Sequence, residues 1–244
     1  MNDNICIEGA ISVKAALSYK RREIYKIYID KKKKDKNTDY IRNLAKKMNV
    51  PVEDADSGTI INITDGNSHG GICAVAGKRS YQNSDDILKK GNPFILLLEG
   101  IEDPFNFGYC IRSAYAAGAT GILTSARNWS NAEPVILKSS AGASEMIDIA
   151  CSDGFKEILL KAKDIGLTVI SADRKDAAPL YETDLKRPVI LAIGGQMRGL
   201  SKDVKDLTDE RIYIPYENGF RNALNASCAC AVVCFEAMRQ RTDC

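Results

Sequence analysis

Histidine and tryptophan occur once each in this chain of 244 residues. With a single histidine, any Ser-His-Asp or Cys-His chemistry would have to run through His69. No Gly-x-Ser-x-Gly elbow accompanies it. No run of about 18 apolar residues is present, so no membrane span is expected. The first ten residues, MNDNICIEGA, hold neither a basic stretch nor an apolar one, so no signal peptide is expected and the cytoplasm is the default location. The eight cysteines include no Cys-x-x-Cys pair. Cys228, Cys230 and Cys234 fall on one expected helix, where only the last two share a face at i,i+4. With one histidine beside them, no metal site is expected, and the cysteines read as small buried hydrophobes in a reducing compartment.

What is present is an ordinary globular composition, 45% apolar and 27% charged, in a chain long enough for one large domain or two small ones. The net charge of +2 is unevenly spread. Residues 1–80 hold 15 Lys and Arg against 10 Asp and Glu, and the remainder holds 19 against 22. A basic N-terminal part suggests a polyanionic partner.

Hydrophobic periodicity divides the chain in three. Residues 1–77 alternate short helices and strands, with helices expected at 10–19, 37–48 and 57–63 and strands at 23–29, 50–53 and 71–76. The run Lys31–Lys34 falls in a loop, where it serves either as a solvated turn or as a sequence-blind phosphate contact. Residues 78–92 are polar and aperiodic and read as a linker. Residues 93–244 show apolar strands at 94–98, 121–124, 146–150, 167–171, 189–193 and 211–214. Helices are expected between them, around 109–117, 133–141 and 155–165, and at the end over 222–239. That pattern is an α/β domain with a mostly parallel sheet covered on both faces.

Ligands in such sheets bind beyond the carboxyl ends of the strands, and three loops stand out there. Asn106-Phe-Gly-Tyr-Cys-Ile-Arg112 opens a helix, with Asn106 as its expected N-cap and Arg112 one turn beyond Gly108. Gly194-Gly-Gln-Met-Arg-Gly-Leu-Ser201 nearly fits a phosphate-binding loop, but Leu200 occupies the lysine position. The segment 214–236, IPYENGFRNALNASCACAVVCFE, enters a helix of small residues that holds a lone amide, Asn225. Small side chains let a backbone or a ligand approach closely, and an amide among them has a specific hydrogen-bonding task.

Together these stretches resemble the SpoU–TrmH family of RNA ribose 2′-O-methyltransferases. The first matches the family's Asn-x-Gly-x-x-x-Arg motif, Lys138–Glu145 resembles K-x-S-x-G-A-x-E, and Gly194–Ser201 resembles G-x-E-x-x-G-L-S. The third motif is matched by Ile214, Pro215, Leu224, Asn225, Ser227, Ala229 and Glu236. The resemblance implies a C-terminal trefoil-knotted SPOUT domain that binds S-adenosyl-L-methionine, preceded by a ribosomal-protein-like RNA-binding domain. It implies a homodimer with the closing helix at the interface. Gly194, Ile214 and Leu224 would line the cofactor pocket, and Asn106, Arg112 and Asn225 would form the reaction site. The substrate it implies is structured RNA, ribosomal in preference to transfer RNA, with no DNA partner. A guanidinium is a poor base, so Arg112 is expected first as a clamp on the phosphate and 2′-oxygen.

Two positions depart from the pattern: Gln196 stands where the family has Glu, and Ala223 where it has Ser. They leave open an alternative, a weak or inactive family member acting as an RNA-binding or ribosome-assembly factor. A different nucleotide-dependent α/β enzyme would need a phosphate-binding lysine or a ribose-binding acid, and neither is found at the expected place.

Overall fold

The computed structural model describes residues 4–64, 68–126, 129, 132–219 and 222–242. From the N-terminus come β1 (Ile5–Glu8), α1 (Ala10–Tyr19), β2 (Ile24–Asp30), α2 (Lys36–Lys47), β3 (Val52–Ala55), α3 (Ser57–Ile63) and β4 (Ile72–Ala76). The strands form a mixed sheet in the order β1-β4-β2-β3, antiparallel except for the β2–β3 pair. In β2, Ile24, Ile27 and Ile29 are buried, while α2 turns Ile41 and Ala45 inward and its lysines outward. Asp35 caps α2 by accepting the Thr38 N–H at 2.9 Å. His69, the lone histidine, is buried and its Nδ1 accepts the Gly71 N–H at 3.0 Å, which shapes the turn into β4. β1 was not anticipated, because four residues before Gly9 are too few for a period-2 pattern to show.

The chain continues with α4 (Ser84–Leu88), β5 (Phe94–Glu99), α5 (Pro104–Ala116), β6 (Gly121–Ser125), α6 (Glu133–Ser139), α7 (Ala143–Met146), β7 (Ile149–Ser152), α8 (Lys156–Asp164), β8 (Thr168–Ala172), β9 (Ala178–Pro179), β10 (Val189–Gly194), α9 (Lys202–Asp206), β11 (Glu210–Tyr213) and α10 (Ala226–Arg241). Seven strands pair in the order β7-β6-β5-β10-β8-β11-β9, every pair parallel. The α/β class with a mostly parallel sheet is therefore the observed one. β5 and β10 begin with continuous buried apolar runs, FILLL and VILAI, as strands buried on both faces require. Within the stretch expected to be aperiodic, α4 buries Ile87 and Leu88. A side chain at Gly121 would come within 2.4 Å of Ile87 Cγ2, so glycine is what lets α4 lie close to β6. A helix of five residues is too short to reveal a 3.6-residue period.

Contacts divide the chain into two compact units, Met1–Ser80 with Asn128–Met146, and Tyr81–Arg127 with Ile147–Cys244. The stretch Lys138–Glu145 thus packs in the first unit. Arg22, 8% exposed, donates there from Nη2 to Glu145 Oε1 at 2.7 Å, from Nη1 to Glu133 Oε2 at 2.7 Å and from Nη1 to the Gly77 carbonyl at 3.2 Å. Burial alone would lower the Arg22 pKa, but the bonds and charges of Glu145 and Glu133 raise it. Arg79 Nε donates to the Ser144 carbonyl at 2.8 Å. Gly142, at φ +85°, lets this segment meet α1: a Cβ there would lie 2.8 Å from Ala15 Cβ. The strand expected over 146–150 begins later, at Ile149, because Ala143–Met146 is helical and Glu145 is turned inward onto Arg22.

Candidate active site

The chain sends β5, β6 and β7 outward on one side of β10, and β8, β11 and β9 on the other. A doubly wound sheet opens its ligand crevice at such a switch point, beyond the carboxyl ends of the strands. A cavity of about 350 Å³ lies there, and ligand pockets of roughly 300–1,000 Å³ hold small organic molecules. Three loops line it. The end of β8 gives Ala172, Asp173 and Arg174, the end of β10 gives Ile193, Gly194, Gly195, Gln196, Gly199 and Leu200, and the end of β11 gives Ile214, Tyr216, Ala223, Leu224 and Ala226. Gly194, Ile214 and Leu224, all singled out in the sequence, meet in this one cavity.

The loop after β10 folds back sharply. The Gly199 N–H donates to the Gly195 carbonyl at 2.8 Å, and the Gly195 N–H donates to the Glu99 carbonyl at 2.8 Å. Glu99 Oε2 accepts the Ser201 N–H at 2.7 Å, tying the loop's far end to β5. A Cβ at Gly195 would lie 1.8 Å from the Gly100 oxygen, and one at Gly194 would lie 2.6 Å from the Gly199 carbonyl carbon. The glycine pair therefore serves close backbone contact, and both residues line the cavity.

The loop after β11 is held by contacts that the sequence did not single out. Tyr216 Oη accepts the Leu224 N–H at 3.1 Å. The Arg174 guanidinium lies 4.9 Å from the Tyr216 ring centroid and donates to the Asn222 carbonyl at 2.7 Å. An aromatic with an arginine across two strand ends carries no local spacing signal, so only the fold reveals the pair. Phe220 and Arg221, inside the same motif segment, lie outside the described residues.

Asn225 is the N-cap of α10, its Oδ1 accepting the Ser227 N–H at 2.7 Å. Its Nδ2 donates to Asn106 Oδ1 at 3.1 Å, so these two asparagines, 119 residues apart, meet directly. Asn106 is not the N-cap of α5. Asp103 is, accepting the Asn106 N–H at 2.8 Å with Pro104 at the first helical position. Asp-Pro carries the stronger start signal, and capping by Asp103 leaves the Asn106 side chain available for Asn225. Arg112 lies six residues further along α5, about 120° around the axis from Asn106. It is exposed and, among the described residues, has no hydrogen bond or ion pair. Gln196 and Ala223 are both exposed and line the cavity.

Cys110, Cys230 and Cys234 are buried where α10 packs on α5, with 3.8 Å between the sulfurs of the last two. Their mutual contacts and burial push the Cys230 thiol up. Cys228 departs from the expected burial and is exposed.

Residues 93–235, more than half of the chain, match the SpoU rRNA methylase family. The chain belongs to that family. Residues 6–82 match the RNA 2'-O ribose methyltransferase substrate-binding family. Among curated relatives, the 23S rRNA (guanosine-2'-O-)-methyltransferase RlmB of Ralstonia nicotianae is 29% identical over 245 residues, 99% of this chain and 98% of that one. RlmB of Pseudomonas putida is 27% identical over 239 residues, 96% of each chain. Among solved structures, the SpoU methyltransferase AviRb from Streptomyces viridochromogenes in complex with AdoMet superposes with a TM-score of 0.80 at 20% identity, over 98% of this chain and 90% of that one. An AdoMet-bound rRNA methyltransferase from Sinorhizobium meliloti gives 0.80 at 22%, over 97% and 87%.

Proposed function

We propose that this protein transfers a methyl group from S-adenosylmethionine to a ribose 2′-hydroxyl of structured RNA, ribosomal RNA in preference to transfer RNA, in the cytoplasm. The observation that carries the reading is the convergence of all three family motifs on one end of the sheet. Two of them line the cavity, and the Asn106–Asn225 bond joins the first motif to the third. Family membership and the RlmB relatives point the same way.

The cavity suits the cofactor. Ile193, Ile212, Ile214 and Leu224 offer apolar walls, and Gly194 and Gly195 line it where a side chain could not fit. When bound, S-adenosylmethionine supplies an electrophilic methyl group on sulfonium. The chain's part is to place the 2′-oxygen in line with it and to keep water out. Arg112, exposed and without a partner among the described residues, can clamp an adjacent phosphate and the 2′-oxygen, which suits a guanidinium better than accepting a proton. The division of labour we propose follows the chain, with residues 1–77 holding RNA, 78–92 joining and 93–244 carrying the transfer. The trefoil knot belongs to the same proposal.

The reading includes a homodimer. Helix α10 keeps its charged residues to its last turns, from Glu236 on, and before them Phe235 is 43% exposed and shares a face with Cys228, Ala231 and Val232. Phe105 and Tyr109 are exposed on α5, which packs on α10. A second copy is the occupant that the family resemblance supplies. Phe235→Lys is expected to turn a dimer into a monomer in light scattering, and a wild-type monomer would refute the dimer.

A second reading rests on Gln196 and Ala223. If a glutamate ordinarily fixes the arginine, its replacement turns a charge-assisted bond of about 1.5–3 kcal/mol into a neutral one of about 0.5–1.5 kcal/mol. An RNA-binding member with weak transfer follows from that. Incubation of 23S rRNA with protein and methyl-labelled cofactor, followed by nucleoside mass spectrometry, separates the two. A 2′-O-methylnucleoside supports the enzyme, and RNA binding without any product supports the binder.

A further inference from the structure

We infer that Ser227 is a positioning residue that fixes the rotamer of both active-site amides and leaves Asn106 Nδ2 as the group presented to the target nucleotide. The inference rests on the methyl-transfer reading, and it follows from one unambiguous donor. The Ser227 backbone N–H can only donate, and it lies 2.7 Å from the Asn225 side chain, so the atom facing it is Asn225 Oδ1. Asn225 Nδ2 must then face Asn106, at 3.1 Å, and only the Asn106 oxygen can accept from it. The single Ser227 hydroxyl proton serves one acceptor at a time, Asn225 Oδ1 at 2.7 Å as the closer and Asn106 Oδ1 at 3.3 Å as the alternative. Asn106 Oδ1 thus accepts from Asn225 Nδ2, with the Ser227 hydroxyl as an alternative donor beside it.

The other end of the Asn106 amide, Nδ2, has no bond among the described residues, and the residue is only half-buried. It presents two N–H donors and no acceptor. Such a group binds lone pairs, those of a ribose or phosphate oxygen, and cannot take up the hydroxyl proton. The amide pair is therefore excluded as the base and is confined to orienting oxygen atoms of the target. Ser227 lies within the matched family segment, two residues after Asn225, so its hydroxyl sits one helical step into α10 and turns back toward the cap.

Side-chain amide hydrogen exchange, followed by NMR on the full chain without substrate, reads the arrangement directly. One slow Asn225 proton and two fast Asn106 protons are expected. A protected Asn106 proton, or fast exchange at both residues, would overturn the assignment. Ser227→Ala is expected to lower kcat for RNA methylation about 3- to 10-fold with the cofactor KM unchanged, and Ser227→Thr is expected to restore it. An unchanged kcat in Ser227→Ala would remove the positioning role. Absence of turnover in the wild type would bear on methyl transfer alone, because the amide pattern is measured without it.

Discussion

Arg22, in the first unit, is buried and donates to Glu145, Glu133 and the Gly77 carbonyl, whereas Arg112, in the second, is exposed and donates to nothing among the described residues. The same guanidinium does opposite work in the two places. A buried charge is tolerable only when its donors are matched, so Arg22 and the carboxylates around it act as a fixed internal clasp. A charge left in water keeps its donors for a partner that arrives later. The same contrast separates the Lys138–Glu145 stretch, whose Glu145 is spent on Arg22, from the asparagine pair, whose free end is Asn106 Nδ2. A sequence motif alone does not distinguish residues that hold the fold from residues that meet the substrate; burial and hydrogen-bond saturation do.

The largest effect expected from breaking this contrast is in the clasp. Glu145→Ala leaves the Nε and Nη2 donors of the buried Arg22 unmatched while Glu133 still balances its charge, and about 1–3 kcal/mol of stability should be lost in urea unfolding. A loss below about 1 kcal/mol would mean that water or a relaxed loop compensates, and the clasp would be unimportant. Arg112→Ala should leave unfolding unchanged within about 0.5 kcal/mol and lower RNA methylation at least about 100-fold, with cofactor affinity retained. Full retained activity would remove Arg112 from the mechanism.

Smaller changes sharpen the site side of the comparison. Gln196→Glu with Ala223→Ser should raise a weak methylation activity several-fold if the two positions merely weaken the site. A fall would show them adapted to a different geometry. The smallest effect belongs to the cap of α2. The Thr38 N–H, together with Lys33, holds the Asp35 carboxyl down to about 2. A depressed carboxylate contributes stability above its unfolded pKa of about 3.9 and loses it as pH falls toward 2. Thr38 amide exchange should therefore quicken over that window, and an exchange rate flat from pH 4 to pH 2 would contradict the cap.

How much of this was legible depended on length and distance. Ala10–Tyr19 and Ser57–Ile63 emerge with the bounds expected of them, because each carries its own periodicity or cap. The central strands β5 and β10 were equally plain as unbroken apolar runs. Four- and five-residue elements such as β1 and α4 were not, since their burial is set by partners remote in the chain. At the site, the glycines and amides announced themselves through composition. The cap was misassigned to Asn106 because Asn and Asp cap equally well, and only the Asp103-Pro104 pair decides between them. Arg174 over Tyr216 and the placing of Glu145 on Arg22 depend on side chains 42 and 123 residues apart, which no local pattern encodes.

The most direct test of the central claim is a calorimetric titration of the purified protein with S-adenosylmethionine. Saturable micromolar binding, at one site per chain or fewer, is the result expected of the cavity at the ends of β8, β10 and β11. No binding, either alone or with ribosomal RNA present, would contradict a working methyl-transfer site and leave RNA binding as the protein's role.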